Sequence, residues 1–246
     1  MSENTAVLHA RGMSKRYGKD AGLVRAVDDV DLDVAAGETV AVMGPSGCGK
    51  STLLHLLGGL DRLSDGQIWL AGQRIDNMTE RALARLRRTA IGFVFQAFHL
   101  MDELTSVENV ELPALLAGTS PRAARRRATD LLDRVGLADR VGFLPSQLSG
   151  GQRQRAAIAR ALVNSPQVVL ADEPTGNLDS EATIDVLRLF DSLHAAGQTL
   201  LIVTHDSRIA ATADRLISMR DGAFVDETRL SGGTPIDHGA LAGLEG

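Results

Sequence analysis

The sequence predicts an α/β protein built on a mostly parallel sheet. The first sign is the apolar run 40–43, which leads into a glycine-rich turn and then into leucines at helical spacing. Two further apolar runs, 168–171 and 199–203, lack the polar alternation of exposed strands, so we expect both in a sheet that is covered on both faces. Helical patterns separate these runs, as parallel connections require.

The other elements follow from local patterns. Residues 30–34 alternate with period two, which predicts a half-buried strand, and a polar loop marked by glycines covers 18–22. A helix begins with leucines at 53, 56, 57 and 60. Further strands are expected at 7–17, 67–70 and 91–95, with an arginine-rich helix at 79–88.

The pattern turns helical between residues 97 and 144. Thr105 and Glu108 have the spacing of a capping box, and a long helix at 122–135 stops at Gly136. Such a block between strands predicts a separate helical subdomain. A crossover helix at 180–196 and a terminal hairpin at 215–227 complete the predicted elements.

Composition narrows the function classes. The 26 basic and 31 acidic residues give a formal net charge of −5, which argues against a nucleic-acid surface, since such surfaces carry a basic excess. Cys48 is the single cysteine, so no disulfide can form within the chain and a reducing setting is expected. No apolar run reaches the roughly 18 residues of a membrane span, and we expect no signal peptide.

The glycine-rich turn fits the phosphate-binding loop at every fixed position of that motif. Glycines let successive N–H groups curl around an anion, and the helix that follows directs its positive end to the same point. Lys50 can reach the β- and γ-phosphates, and the Ser51 hydroxyl is a candidate Mg²⁺ ligand. Two interpretations of Cys48 stay open: a reactive thiol within the loop, or a small side chain that only fills space. The predicted phosphate-binding residues are Gly44, Pro45, Ser46, Gly47, Cys48, Gly49, Lys50, Ser51 and Thr52.

Four polar side chains are expected at the carboxyl edge of the sheet, where open α/β sheets bind ligands. Neighbouring residues of an extended chain point apart, so we assign Asp172 to Mg²⁺ and Glu173 to the attacking water. His205 ends the next run and is a candidate catalytic residue at the γ-phosphate, and the Gln96 amide oxygen is a candidate Mg²⁺ ligand. A solvent-facing acidic pair and a structural histidine are the alternatives.

A second anion site is predicted at Ser149, Gly150, Gly151 and Gln152, which open another helix. A serine hydroxyl and free N–H groups at a helix start can bind phosphate, although an ordinary capped helix would look similar. Because the chain has one phosphate-binding loop, we expect these residues to complete the nucleotide site of a second copy in a symmetric homodimer.

Taken together, these motifs resemble the nucleotide-binding domain of ABC transporters, over roughly residues 7–227. The resemblance implies an ATPase with ATP and Mg²⁺, and a P-loop NTPase fold with a RecA-like core and an N-terminal antiparallel β subdomain. It also implies that Tyr17 stacks on adenine and that Asp179 contacts the opposite protomer. We expect a cassette at 1–230 with the helical subdomain inserted at about 97–160, followed by a flexible tail at 231–246.

A finer resemblance, through 92–96, 104–110 and 171–179, is to the subgroup that includes the ATPases for lipoprotein release, macrolide export and antimicrobial-peptide resistance. It implies a motor on the cytoplasmic face of the membrane, bound to an integral membrane permease that we expect on separate chains, with residues 97–102 near that partner. Two alternatives stay open: a regulatory coupler whose permease moves no cargo, and a soluble ABC-type ATPase. The resemblance implies export or extraction of a hydrophobic, lipoprotein, peptide or macrolide-like substrate; the sequence itself does not specify the cargo or the direction.

Overall fold

The computed structural model describes residues 6–18 and 22–230, so the predicted loop at 18–22 is described only at its ends and the predicted tail at 231–246 lies outside the described residues. The strands are β1 (Ala6–Tyr17), β2 (Val24–Ala35), β3 (Thr39–Met43), β4 (Asp65–Leu70), β5 (Gln73–Arg74), β6 (Ile91–Phe95), β7 (Val168–Asp172), β8 (Leu200–Thr204), β9 (Arg215–Arg220) and β10 (Ala223–Arg229). The helices are α1 (Lys50–Leu57), α2 (Glu80–Ala90), α3 (Ser106–Leu116), α4 (Pro121–Arg134), α5 (Gly150–Leu162), α6 (Ser180–Ala195) and α7 (Ser207–Ala210).

The main sheet has the strand order β10-β9-β3-β8-β7-β6. Strands β3, β6, β7, β8 and β9 run parallel, and only β10 is antiparallel to its neighbour. All five residues of β8 are buried, as expected for a strand covered on both faces. The predicted mostly parallel α/β core is therefore confirmed, and so is the hairpin formed by β9 and β10.

A smaller antiparallel sheet has the order β2-β1-β4-β5. Strand β2 alternates between buried and solvent-facing residues over its second half, in line with the period-two pattern. It begins at Val24, however, and not near residue 30, because its first half also pairs with β1 through several register shifts. Asp76 stabilises this sheet. Its carboxylate accepts a hydrogen bond from the Ile68 N–H at 2.9 Å and further hydrogen bonds from the Arg74 guanidinium.

The helical block follows β6 along the chain. The predicted capping box is present, since the Glu108 carboxylate accepts hydrogen bonds from both the N–H and the hydroxyl of Thr105. Helix α4 ends just before Gly136, which has a φ of +70°. Residues of α3, α4 and α5 share an apolar core of their own that includes Val110, Leu132 and Ala156.

The predicted end of α1 is wrong by a few residues, and the predicted start of α2 is wrong by one. Helix α1 stops at Leu57, so Leu60 lies beyond it and is 46% exposed. The cause is the Gly58–Gly59 pair, because glycine weakens a helix and Gly59 adopts a φ of +63°. Thr79 does not belong to α2 but caps it, accepting the N–H of Ala82.

Close packing between β6 and α5 depends on a residue without a side chain. A Cβ atom at Gly92 would lie 2.6 Å from the carbonyl oxygen of Ala161. Gly142 is a useful contrast, because a Cβ there would meet nothing within 4 Å.

None of the helices among the described residues has the length and apolar character needed to cross a membrane.

Candidate active site

The phosphate-binding loop connects β3 to α1 at the carboxyl edge of the main sheet. Gly49 has a φ of +109°, and a Cβ there would lie 2.0 Å from the carbonyl oxygen of Ala26. Only glycine fits this position, so the loop and the start of α1 have the sharp geometry that the motif predicts. The Cys48 thiol belongs to the hydrophobic core, with 4% of the residue exposed, which favours the filler interpretation over a reactive group.

Lys50 is the first residue of α1, and only 7% of it is exposed. Its ammonium donates to the carbonyl oxygens of Gly44 and Pro45 at 2.8 and 3.1 Å. The same nitrogen lies 3.9 Å from Oε1 of Glu173. The predicted phosphate-binding lysine and the predicted general base therefore face each other across one cleft.

Asp172 ends β7, and its Oδ1 accepts a hydrogen bond from the Ser51 hydroxyl at 3.0 Å. Burial raises the pKa of Asp172, although the Ser51 hydrogen bond and the nearby His55 and Lys50 act in the opposite direction. Ser51 and Asp172, two of the three predicted Mg²⁺ ligands, are thus adjacent, and both offer the oxygen atoms that Mg²⁺ prefers.

Glu173 directly follows β7, and its backbone has a φ of +45° instead of the extended conformation expected from the sequence. Its Oε2 lies 2.9 Å from Nδ1 of His205 and accepts the backbone N–H of His205 at 3.2 Å. The Thr204 hydroxyl donates to the same oxygen at 3.3 Å. The end of β8 therefore orients the Glu173 carboxylate through several contacts.

Gln96 lines the same cleft, and its amide nitrogen is bonded to a neighbouring side chain. Its side-chain nitrogen donates to Oδ1 of Asn177 at 3.1 Å, and the Asn177 side chain donates back to the Gln96 carbonyl at 3.0 Å. The structure thus brings Gln96 to the cleft with its amide nitrogen bonded to Asn177. The Asn177 contact was not predicted.

The cleft itself has a volume of about 590 Å³. Lys50, Glu173, His205 and Gln96 line it together, and Val24 lies at its wall. Tyr17, the predicted adenine contact, pairs with Val24 across the small sheet and is 43% exposed. Its hydroxyl donates to Asp61 at 2.6 Å.

The second predicted anion site lies elsewhere on the chain. Ser149 caps α5, and its hydroxyl accepts the N–H of Gln152 while the Gln152 side chain accepts the N–H of Ser149. Asp179 likewise caps α6 by accepting the N–H of Ala182 at 2.8 Å. Ser149 and Asp179 are exposed, and of the described residues that line the cleft, none comes from 149–152 or is Asp179.

A buried side chain that was not predicted connects α5 to the acidic pair. Gln154 is fully buried, and its amide nitrogen donates to the carbonyl oxygen of Pro174 at 2.5 Å. Pro174 directly follows Glu173, so the helix that begins just after Ser149 is bonded to the backbone beside the predicted base.

A phosphate-binding loop at the carboxyl edge of a parallel sheet, with Asp172 ending β7 at the same edge and Glu173 directly after it, defines a P-loop nucleoside triphosphatase. The family model described as ABC transporter matches residues 27–176. The chain belongs to the ABC transporter family, and it is an ATPase.

Curated relatives and solved structures agree with this assignment. The chain is 46% identical to the macrolide export ATP-binding/permease protein MacB of Agrobacterium fabrum over 98% of its own length, and 49% identical to MacB 1/2 of Paracoccus denitrificans over 93%. It spans only 38% and 34% of the length of these two relatives.

A solved ATP-binding cassette, described as a dimer in a post-hydrolysis state bound to ADP and Pi, superposes with a TM-score of 0.85 at 38% identity. That match covers 92% of this chain and 99% of the solved one. A dimeric bacterial ABC transporter cassette gives the same TM-score at 39% identity.

Proposed function

We propose that this chain is the motor of an exporter and that two copies close around two ATP molecules. One observation carries the proposal: Lys50, Glu173 and His205 share a cleft, whereas Ser149 lies outside it. A second copy would bring its own 149–152 segment to the open side of the cleft, with Asp179 beside it at the interface. The dimeric cassettes of similar sequence support this arrangement.

Within the cleft each side chain takes a separate role. Lys50 exchanges the loop carbonyls for oxygens of the β- and γ-phosphates. Glu173 polarises the attacking water, and its carboxylate is already oriented by the end of β8. His205, 2.9 Å from that carboxylate, contacts the γ-phosphate, and Tyr17 stacks on the adenine at the Val24 end.

The residues present also fit Mg²⁺. Ser51 and Asp172 offer a hydroxyl and a carboxylate 3.0 Å apart, and Mg²⁺ in such sites is held by one or two carboxylates together with substrate phosphates. Gln96 would join this set through its amide oxygen, because its bond to Asn177 uses the amide nitrogen. When bound, the ion neutralises charge on the phosphate oxygens.

Export is proposed from the relatives. The MacB names combine an ATP-binding part with a permease and with macrolide export. We therefore assign this chain a membrane permease as partner, a place at the cytoplasmic face of the membrane and a macrolide-like or other hydrophobic cargo. The helical subdomain at about 97–160, within a cassette at 1–230, would form part of the permease contact. Co-purification of the tagged chain with one integral membrane protein would test this assignment.

Glu173→Gln tests the motor itself. We expect hydrolysis to fall by about 10²–10⁴-fold, whereas ATP binding is retained and an ATP-bound dimer accumulates, as measured by phosphate release and light scattering. Lys50→Ala is the matched control, because it should lose ATP binding and form no such dimer. Undiminished hydrolysis in Glu173→Gln would contradict the role of Glu173, and hydrolysis by monomers at a rate independent of protein concentration would contradict the dimer.

A further inference from the structure

The aromatic ring at the end of β1 is held by two residues that touch no part of the cleft. Tyr17 and Lys15 lie two residues apart and so share one face of the strand. Asp61, in the turn after α1, accepts a hydrogen bond from the Tyr17 hydroxyl at 2.6 Å and one from the Lys15 ammonium at 2.7 Å. The three side chains form one connected group.

Lys15 also occupies one face of the ring. Its ammonium nitrogen lies 4.8 Å from the ring centroid, which is a cation–π distance. The tyrosine is nevertheless 43% exposed. Its cross-strand partner Val24 lines the wall of the nucleotide cleft. Lys15 thus covers one ring face, while the tyrosine stays partly exposed beside Val24 at the cleft wall.

The charge states needed for this group are stable near neutral pH. Burial alone would raise the pKa of Asp61, but the hydrogen bonds from Lys15 and Tyr17 outweigh it and lower that pKa. Burial and the Asp61 hydrogen bond raise the pKa of Tyr17, while a hydrogen bond to Thr52 opposes them. Asp61 therefore stays ionised as an acceptor, and the Tyr17 hydroxyl stays protonated as a donor.

We propose that Asp61 is a positioning residue that sets the affinity for the nucleotide base by fixing the Tyr17 ring before ATP binds. Asp61 holds the hydroxyl and Lys15 supports the far face, so the exposed ring loses little freedom on binding. The inference rests on the proposed adenine contact of Tyr17. Ordering one free side chain on binding corresponds to a loss of about two- to tenfold in affinity.

The test compares ATP with inorganic tripolyphosphate, which has the phosphates but no base. Binding of each to the full chain is measured by titration calorimetry for Asp61→Ala, Tyr17→Phe and Tyr17→Ala. Asp65→Ala is the matched control, because Asp65 pairs with the neighbouring Arg16 at 2.9 Å and does not contact Tyr17. Tyr17→Phe keeps the ring and removes only the hydroxyl, so the test remains decisive even if Asp61→Ala folds poorly.

We expect Asp61→Ala and Tyr17→Phe each to weaken ATP binding by about two- to tenfold and to leave tripolyphosphate binding unchanged. A protein that carries both Asp61→Ala and Tyr17→Phe should show no further loss. Tyr17→Ala should weaken ATP binding more, because stacking itself is lost. If Tyr17→Phe binds ATP like the wild type while Tyr17→Ala does not, the positioning role is overturned. An equal loss for ATP and tripolyphosphate in Asp61→Ala also overturns it. If Tyr17→Ala leaves ATP binding unchanged, the adenine contact itself fails.

Discussion

Substitution of Ser149 separates a role inside the chain from a role in a second copy. Inside the chain the hydroxyl caps α5 by accepting the Gln152 N–H at 3.2 Å. Ser149→Ala removes this cap and should lower the free energy of unfolding by about 1 kcal/mol, or roughly 2–4 °C in Tm for a chain of this size. Ser149→Gly should cost only a few tenths of a kcal/mol.

Ser149→Ala and Ser149→Gly should slow ATP hydrolysis equally, although they differ in their effect on the free energy of unfolding. A hydrogen bond to a charged phosphate is worth about 1.5–3 kcal/mol, which corresponds to a rate about 10- to 150-fold slower. If the Ser149 hydroxyl contacts ATP in the partner copy, both Ser149→Ala and Ser149→Gly should hydrolyse ATP more slowly by this factor. Phosphate release at several protein concentrations and Tm by scanning calorimetry give the two quantities separately.

Mixing of variants makes the test stricter. Glu173→Gln, which should still form ATP-bound dimers, and Ser149→Gly each impair both sites of their own homodimer, but a mixed dimer contains one intact site. For independent sites and random pairing we expect about a quarter of the wild-type rate, since half of the dimers are mixed and each has one of two sites. A Ser149→Gly protein that hydrolyses ATP at the wild-type rate would refute the shared site.

Two further predictions concern the scaffold. Gly92→Ala should lower the free energy of unfolding by about 1–3 kcal/mol, because its Cβ would clash with a backbone carbonyl. Gly142→Ala is the control and should change stability little. Urea unfolding measures both variants, and equal unfolding midpoints would contradict the proposed packing. Asp76→Asn should lower stability near pH 7 by about 1–3 kcal/mol. Burial alone would raise the pKa of Asp76, but the Arg74 guanidinium and the Ile68 N–H lower it. The stabilisation by the Asp76 carboxylate is thus present above the usual aspartate pKa of about 3.9 and is lost as pH falls through the lowered pKa. At that low pH the wild type and Asp76→Asn should have the same free energy of unfolding. A difference in stability that persists there would contradict the role of the ionised carboxylate.

Local patterns were sufficient for most of the fold. Apolar runs without alternation predicted β7 and β8, and the glycines after the crossover helix and in the hairpin marked their ends. The extent of β2 could not be predicted, because its first half includes Asp29 at a φ of +53° and depends on pairing with β1.

Some residues of the candidate site could be predicted from local sequence patterns, and others could not. The phosphate-binding loop, Asp172 and Glu173 are readable because each follows an apolar strand directly. Asp61, Asn177 and Gln154 are not, because their partners lie 44, 81 and 20 residues away along the chain. No periodicity or short motif indicates contacts of that range, so only the folded chain identifies them.

The burial of Cys48 has a practical value for spectroscopy. It is the single cysteine of the chain, and 4% of it is exposed. Thiol-directed dyes or spin probes should therefore give little background signal from the native protein. A cysteine introduced at an exposed position, as in Arg126→Cys, would carry the sole label on each subunit, and the distance between two such labels would report the proposed opening and closing of the dimer.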